Sequence, residues 1–336
     1  MKVQSQRLPF PKARSYDPLE EPPDMRGLLF QQNPDGKVTI LARSGQTDPD
    51  SPPDIPSEAV HDNRVFISVD GIGQDWTRHR EQISDWFQGG TEYGVDLGGP
   101  VIGIHEGEGK NTLSDSWRIL KNVVALKKLQ VGGERSEDFR QSVYANDPSV
   151  KTIHDQLTQS LKAGREVTFM AHSGGAAQVA LALALYAADA KHGREKIAAG
   201  VRVLGTAPAA SFEDFTSVGV REENVLVTGS TRDPVFQMFR NFWTPQKPFS
   251  LLPSVARTLW SGGRFLLQPG PYHQGEHIFQ HHQKDGSHRL GEFLAGGPGG
   301  RYPFVPGGLG VSRSRSSSVP NFLSGPALEM TTLDLD

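Results

Sequence analysis

Between residues 62 and 295 short apolar runs rich in β-branched residues alternate with stretches of helical period, and this alternation limits the fold most. Arg64 to Val69 reads as a buried strand and ends in the turn signal Asp70-Gly71-Ile72-Gly73. Trp76, His79, Arg80, Ile83, Trp86 and Phe87 then recur at helical spacing. Pro100 to Ile104 is a second strand, and Leu113, Trp117, Leu120, Val123 and Val124 mark a second helix. Pro148 to Ala163 is a third helix, Val167 to Met170 a strand, and Ala176 to Ala188 a helix apolar nearly all round. Val201 to Leu204 and Asn224 to Thr228 are further strands, with Arg264 to Leu267 expected as the last. Such alternation predicts an α/β fold with a mostly parallel central sheet and helices on both faces.

The flanks differ. Residues 1–60 hold 10 of the 24 prolines and predict a largely irregular leader, with at most a short strand within Gly36 to Ala42. From Gly296-Gly297-Pro298-Gly299-Gly300 onward, residues 296–336 read as a Gly/Ser-rich irregular tail. The folded domain is thus expected over 61–295.

Net charge is −3, so no electrostatic footprint for nucleic acid is expected. Absence of cysteine removes disulfides, thiolate catalysis and Cys-based metal sites. The N-terminal stretch has no apolar h-region, so no ordinary signal peptide is expected. The most apolar stretch, Ala176 to Ala188, falls short of the ~20 residues a membrane span needs. The compartment stays open between the cytoplasm and export by a non-classical route. Gly107 to Thr112 lacks the spacing of a phosphate loop, which argues against nucleotide binding.

Ala171-His172-Ser173-Gly174-Gly175 stands between the Val167 strand and the Ala176 helix. A sharp strand-to-helix turn that presents a serine needs small residues two positions either side, here Ala171 and Gly175. With these flanks the stretch resembles the nucleophile elbow of the α/β-hydrolase fold, in the Ala-first form of some small bacterial lipases. The resemblance implies a Ser-His-Asp triad with Ser173 as nucleophile and the acid and base later in the chain, in that order.

The acid it implies is Asp233, in the Gly229-Ser230-Thr231-Arg232-Asp233-Pro234 loop after a late strand; the other role open to Asp233 is a turn or helix cap. Glu213 and Asp214 are weaker acid candidates. The base is expected to be His288, in "SHRLGEFL" before a closing helix, with His277 and His282 as alternatives. The oxyanion would be held by backbone N–H groups of Gly174, Gly71 and Ile72, although the chain has Asp70-Gly71 where the family usually has His-Gly or Asn-Gly. His105 lines the pocket or is an ordinary loop histidine.

His273, His277 and His281 recur every fourth residue, yet H-E-x-x-H is missing and Gly275 weakens a helix there, so no metal is assigned and no cofactor is expected. Residues 234–263 are long for a connection and rich in Phe and Trp, and read as a cap or lid over an apolar substrate or as ordinary core. The expected partner is a small-molecule or lipid ester, with peripheral membrane contact open, no nucleic acid, and the oligomeric state undetermined. The expected function is a serine esterase of lipase or phospholipase type. The alternatives are a non-catalytic binding or scaffold protein on the same fold, and a secreted effector with hydrolase activity.

Overall fold

The computed structural model of the protein describes residues 26–42, 53–71, 74–92, 97–107, 112–130, 136–230, 293–294, 296–297 and 299–304. Eight strands form one sheet: β1 (Leu28–Gln32), β2 (Val38–Ala42), β3 (Arg64–Val69), β4 (Val101–His105), β5 (Glu166–His172), β6 (Val201–Thr206), β7 (Val225–Ser230) and β8 (Gly300–Phe304). Their order is β2-β1-β4-β3-β5-β6-β7-β8. β1 runs antiparallel to β2 and β4, and every other neighbouring pair is parallel. The helices are α1 (Trp76–Glu92), α2 (Thr112–Gln130), α3 (Glu137–Asn146), α4 (Pro148–Lys162), α5 (Gly174–Asp189), α6 (Gly193–Gly200) and α7 (Phe212–Ser217).

Strand alternation sorts the core into two layers, because successive side chains point to opposite faces. Val65, Ile67 and Val69 pack with Leu126 of α2, Val150 and Ile153 of α4, and Val179 and Leu183 of α5. Phe66, with Met170, Leu204 and Leu226, packs instead against Ile83 and Trp86 of α1 and against Phe293. Helices therefore cover both faces of a mostly parallel sheet, as the alternation predicts. α5 is apolar all round and buried from Gly174 to Tyr186, which fits a helix pressed between the sheet and α2 and α4. α4 begins where Pro148 follows Asp147, whose carboxylate accepts from the Ser149 N–H.

Two strands lie where irregular chain was expected. β1 falls in the leader, fully buried between β2 and β4. Its "LLFQQ" ends in two glutamines, which hid the strand; Gln32 Nε2 donates to the Arg80 carbonyl (3.0 Å) and to Ser84 Oγ (2.9 Å), so its buried NH2 group is paired. β8 falls in the tail and pairs with β7 along Leu226 to Ser230. The run of glycines before it permits the approach: a β-carbon on Gly299 would stand 2.1 Å from the Val225 carbonyl oxygen. The strand expected at Arg264 to Leu267 lies outside the described residues. No helix among the described residues is long and apolar enough to cross a membrane.

Candidate functional site around Ser173

β5 ends at His172 and α5 begins at Gly174, so a single residue, Ser173, makes the reversal. It does so at φ 49° and ψ −119°, a backbone conformation that costs a residue with a β-carbon of order 1–3 kcal/mol. Hydrogen bonds hold it there from both sides. The Ser173 N–H donates to the Thr206 carbonyl (3.0 Å), and the Ser173 carbonyl accepts from the N–H of Ala209 (2.8 Å) and of Ala176 (3.2 Å). Ala207, just beyond β6, is a second non-glycine residue at positive φ, 45°.

The loop between β3 and α1 lies directly on this turn. A β-carbon on Gly71 would stand 2.7 Å from Ser173 Cβ and 2.9 Å from His172 Nδ1. Position 71 therefore has no room for a side chain. The Gly71 N–H donates to Gln74 Oε1 (3.1 Å), and Gln74 is held in turn by donating to Gln82 Oε1 (2.8 Å). Gly174 is the first residue of α5, where a backbone N–H has no intrahelical acceptor. Ser173 itself is largely buried, 3% exposed, and so is His172.

Ser173, Gly174 and Gly71 are thus brought together. Ile72, Asp233, His277, His282 and His288 lie outside the described residues. Asp214 is committed elsewhere: it closes a capping box with Ser211 at the start of α7 and pairs with Lys127 of α2.

Behind the Gly71 turn sits a polar cluster that sequence reasoning did not assemble. Asp70, His79 and His105 are all fully buried. Asp70 Oδ1 accepts from the Glu106 N–H (2.7 Å), and Asp70 Oδ2 meets His105 Nδ1. His79 Nδ1 lies 3.3 Å from the same Oδ2, and His79 Nε2 lies 3.2 Å from Ser68 Oγ. Trp76 stands edge-on to His105, and Phe30 edge-on to both Trp76 and His79, closing the cluster with rings. Burial alone would raise the Asp70 pKa, but the charge and hydrogen bonds of His105 and His79 outweigh it and hold the carboxyl well below the usual range. Burial lowers the His79 pKa, only partly countered by Asp70, so its neutral form is favoured.

Each member of this cluster offers one ligand atom, and these atoms lie within 4.8 Å of one another. Glu106 and Arg118 extend the buried network as an ion pair at 2.6 Å. The signal for the cluster was a strand-terminal Asp70 and a strand-terminal His105, but their adjacency needs β3 and β4 to be neighbours, and His79 alone reads as one face of a helix.

Comparison with family models, with curated proteins and with solved structures finds no match to this chain.

Proposed function

We propose that this protein is a serine hydrolase of α/β-hydrolase type that cleaves carboxylic esters. The observation that carries this reading is the backbone of Ser173: a strained single-residue turn between a central parallel strand and a buried helix, with a glycine loop seated on it. Strain of this kind persists where a functional side chain has to be held up. Ser173 Oγ attacks the ester carbonyl, and the base takes its proton and returns it to the leaving alcohol. The Gly174 N–H, at the amino end of α5, is placed to receive the oxyanion. The β3–α1 loop is the expected source of the second donor, Gly71 or Ile72, and the Gly71 N–H serves once Gln74 Oε1 gives way.

The acid is Asp233. It follows Ser230 at the carboxyl end of β7, two strands from β5, or about 10 Å across the sheet, a span three residues can cover. The base is His288 of the segment before Phe293, with His277 and His282 as alternatives. The carbonyls of Phe293 and Leu294 accept from Arg202 and Arg64, which stand at the amino ends of β6 and β3. The aromatic segment 234–263 favours an apolar acyl group, hence a lipase- or phospholipase-like esterase.

The test is a fluorophosphonate probe and a panel of p-nitrophenyl esters on the intact chain and on Ser173→Ala. Labelling and hydrolysis by the intact chain, both lost in the variant at an unchanged melting temperature, are expected. An intact chain that takes no label, or hydrolysis that survives Ser173→Ala, would overturn the reading, and the first outcome would favour a non-catalytic binding protein.

A further inference from the structure

We propose that Asp70, His79 and His105 form a structural site for a borderline divalent cation, zinc above all, that staples β3, β4 and α1 together beneath the Gly71 turn. This does not depend on the hydrolase reading. Three donors converge from three different elements: Asp70 just after β3, His105 at the end of β4 and His79 in the first turns of α1. All three are fully buried, and one ligand atom of each lies within 4.8 Å of the others.

The surroundings orient each donor as an outer shell does. Ser68 Oγ faces His79 Nε2, so that this nitrogen can carry the proton and Nδ1 keep its lone pair. His79 Nδ1 lies 3.3 Å from Asp70 Oδ2. The Glu106 N–H fixes Asp70 through Oδ1 and leaves Oδ2 toward both imidazoles.

Two imidazole nitrogens and a carboxylate are a zinc-type donor set, and Asp70 Oδ1 keeps a lone pair to complete four-coordination. Full burial excludes substrate from the ion, so its role is to hold the fold. Because Asp70 adjoins Gly71, which rests on Ser173, loss of the ion is expected to loosen the turn over the serine.

The test uses the full chain, purified without chelator and without a histidine tag. Elemental analysis should find close to one zinc per chain. Cobalt loaded in its place should show the visible absorption of four-coordinate Co²⁺. His79→Gln and His105→Gln should each lose that band, while a His277→Gln/His282→Gln variant keeps it. The melting temperature of the unmutated chain should fall with chelator and recover with zinc, a readout that survives if the His79 and His105 variants do not fold. No metal in the unmutated chain, a melting temperature indifferent to chelator, or a cobalt band that depends on His277 and His282 instead would each overturn the proposal.

Discussion

The backbone carbonyl oxygen of Asp70 lies 2.3 Å from where a β-carbon on Gly175 would stand, and that of Val69 lies 2.8 Å away. The first turn of α5 therefore rests on the carboxyl end of β3, backbone against backbone. Neither carbonyl is the free end of a flexible side chain, so neither can swing aside. Gly175→Ala is expected to cost about 2–3 kcal/mol in urea unfolding, near the upper end for overpacking, and to reduce probe labelling of Ser173. A variant as stable as the parent would mean that α5 moves freely against β3.

Ser173 offers a separate test of its backbone. At φ 49° and ψ −119° any residue with a β-carbon is strained, whereas glycine is not. Ser173→Gly should raise the urea midpoint, a gain in unfolding free energy of roughly 1 kcal/mol after glycine's greater unfolded-state entropy is allowed for. Ser173→Ala should bring no such gain, since it keeps the β-carbon. Equal midpoints for the two variants would count against stored strain at the turn.

The parts of this molecule that local pattern dictates were legible in the sequence. β3 is a β-branched run bounded by turn residues, and Ala171 and Gly175 announce a sharp turn around Ser173. What local pattern does not carry was hidden. β1 ends in Gln31 and Gln32, whose burial is tolerable only because α1 supplies acceptors to Gln32. β8 follows a glycine run that reads as a breaker, until the close approach to Val225 shows why glycine is needed there. Asp70 and His105 are 35 positions apart, and only the pairing of β3 with β4 makes them neighbours. His172, which the local pattern gives no role, packs against Gly71.

Asp85 of α1 and Asp70 respond to pH in opposite senses. Burial, then repulsion from Glu81, pushes the Asp85 carboxyl up to about 6 from an ordinary value of 3.8. The folded state then binds a proton that the unfolded state has released, so this group's contribution falls as pH rises from 3.8 through about 6. Asp85→Asn should stabilise the protein at pH 7, by about 1 kcal/mol once its partial exposure is discounted, and change little at pH 4. For Asp70 the folded value is depressed, so its stabilisation is present above the usual carboxylate range and is lost as pH falls below it. Melting temperatures of the parent and Asp85→Asn across that range should converge at the acid end.

Asp147 joins α2, α4 and α5 through one fully buried carboxylate. Its Oδ1 accepts from the Ser149 N–H (3.1 Å), and its Oδ2 accepts from Asn122 Nδ2 (2.7 Å) and Gln178 Nε2 (2.8 Å). Asp147→Ala removes a helix cap and leaves two buried amide donors without an acceptor. The expected loss is about 3 kcal/mol or more, most of it the desolvation of the stranded donors. That origin makes the effect non-additive. Gln178→Met alone removes one donor and costs little beyond its own hydrogen bond. Placed on Asp147→Ala, the same change removes a stranded group, so the double variant should be more stable than the sum of the single losses by about 1 kcal/mol. A urea double-mutant cycle measures this directly. Strict additivity would mean that the two side chains do not share a buried hydrogen bond, and that α4 and α5 are held together by apolar packing alone.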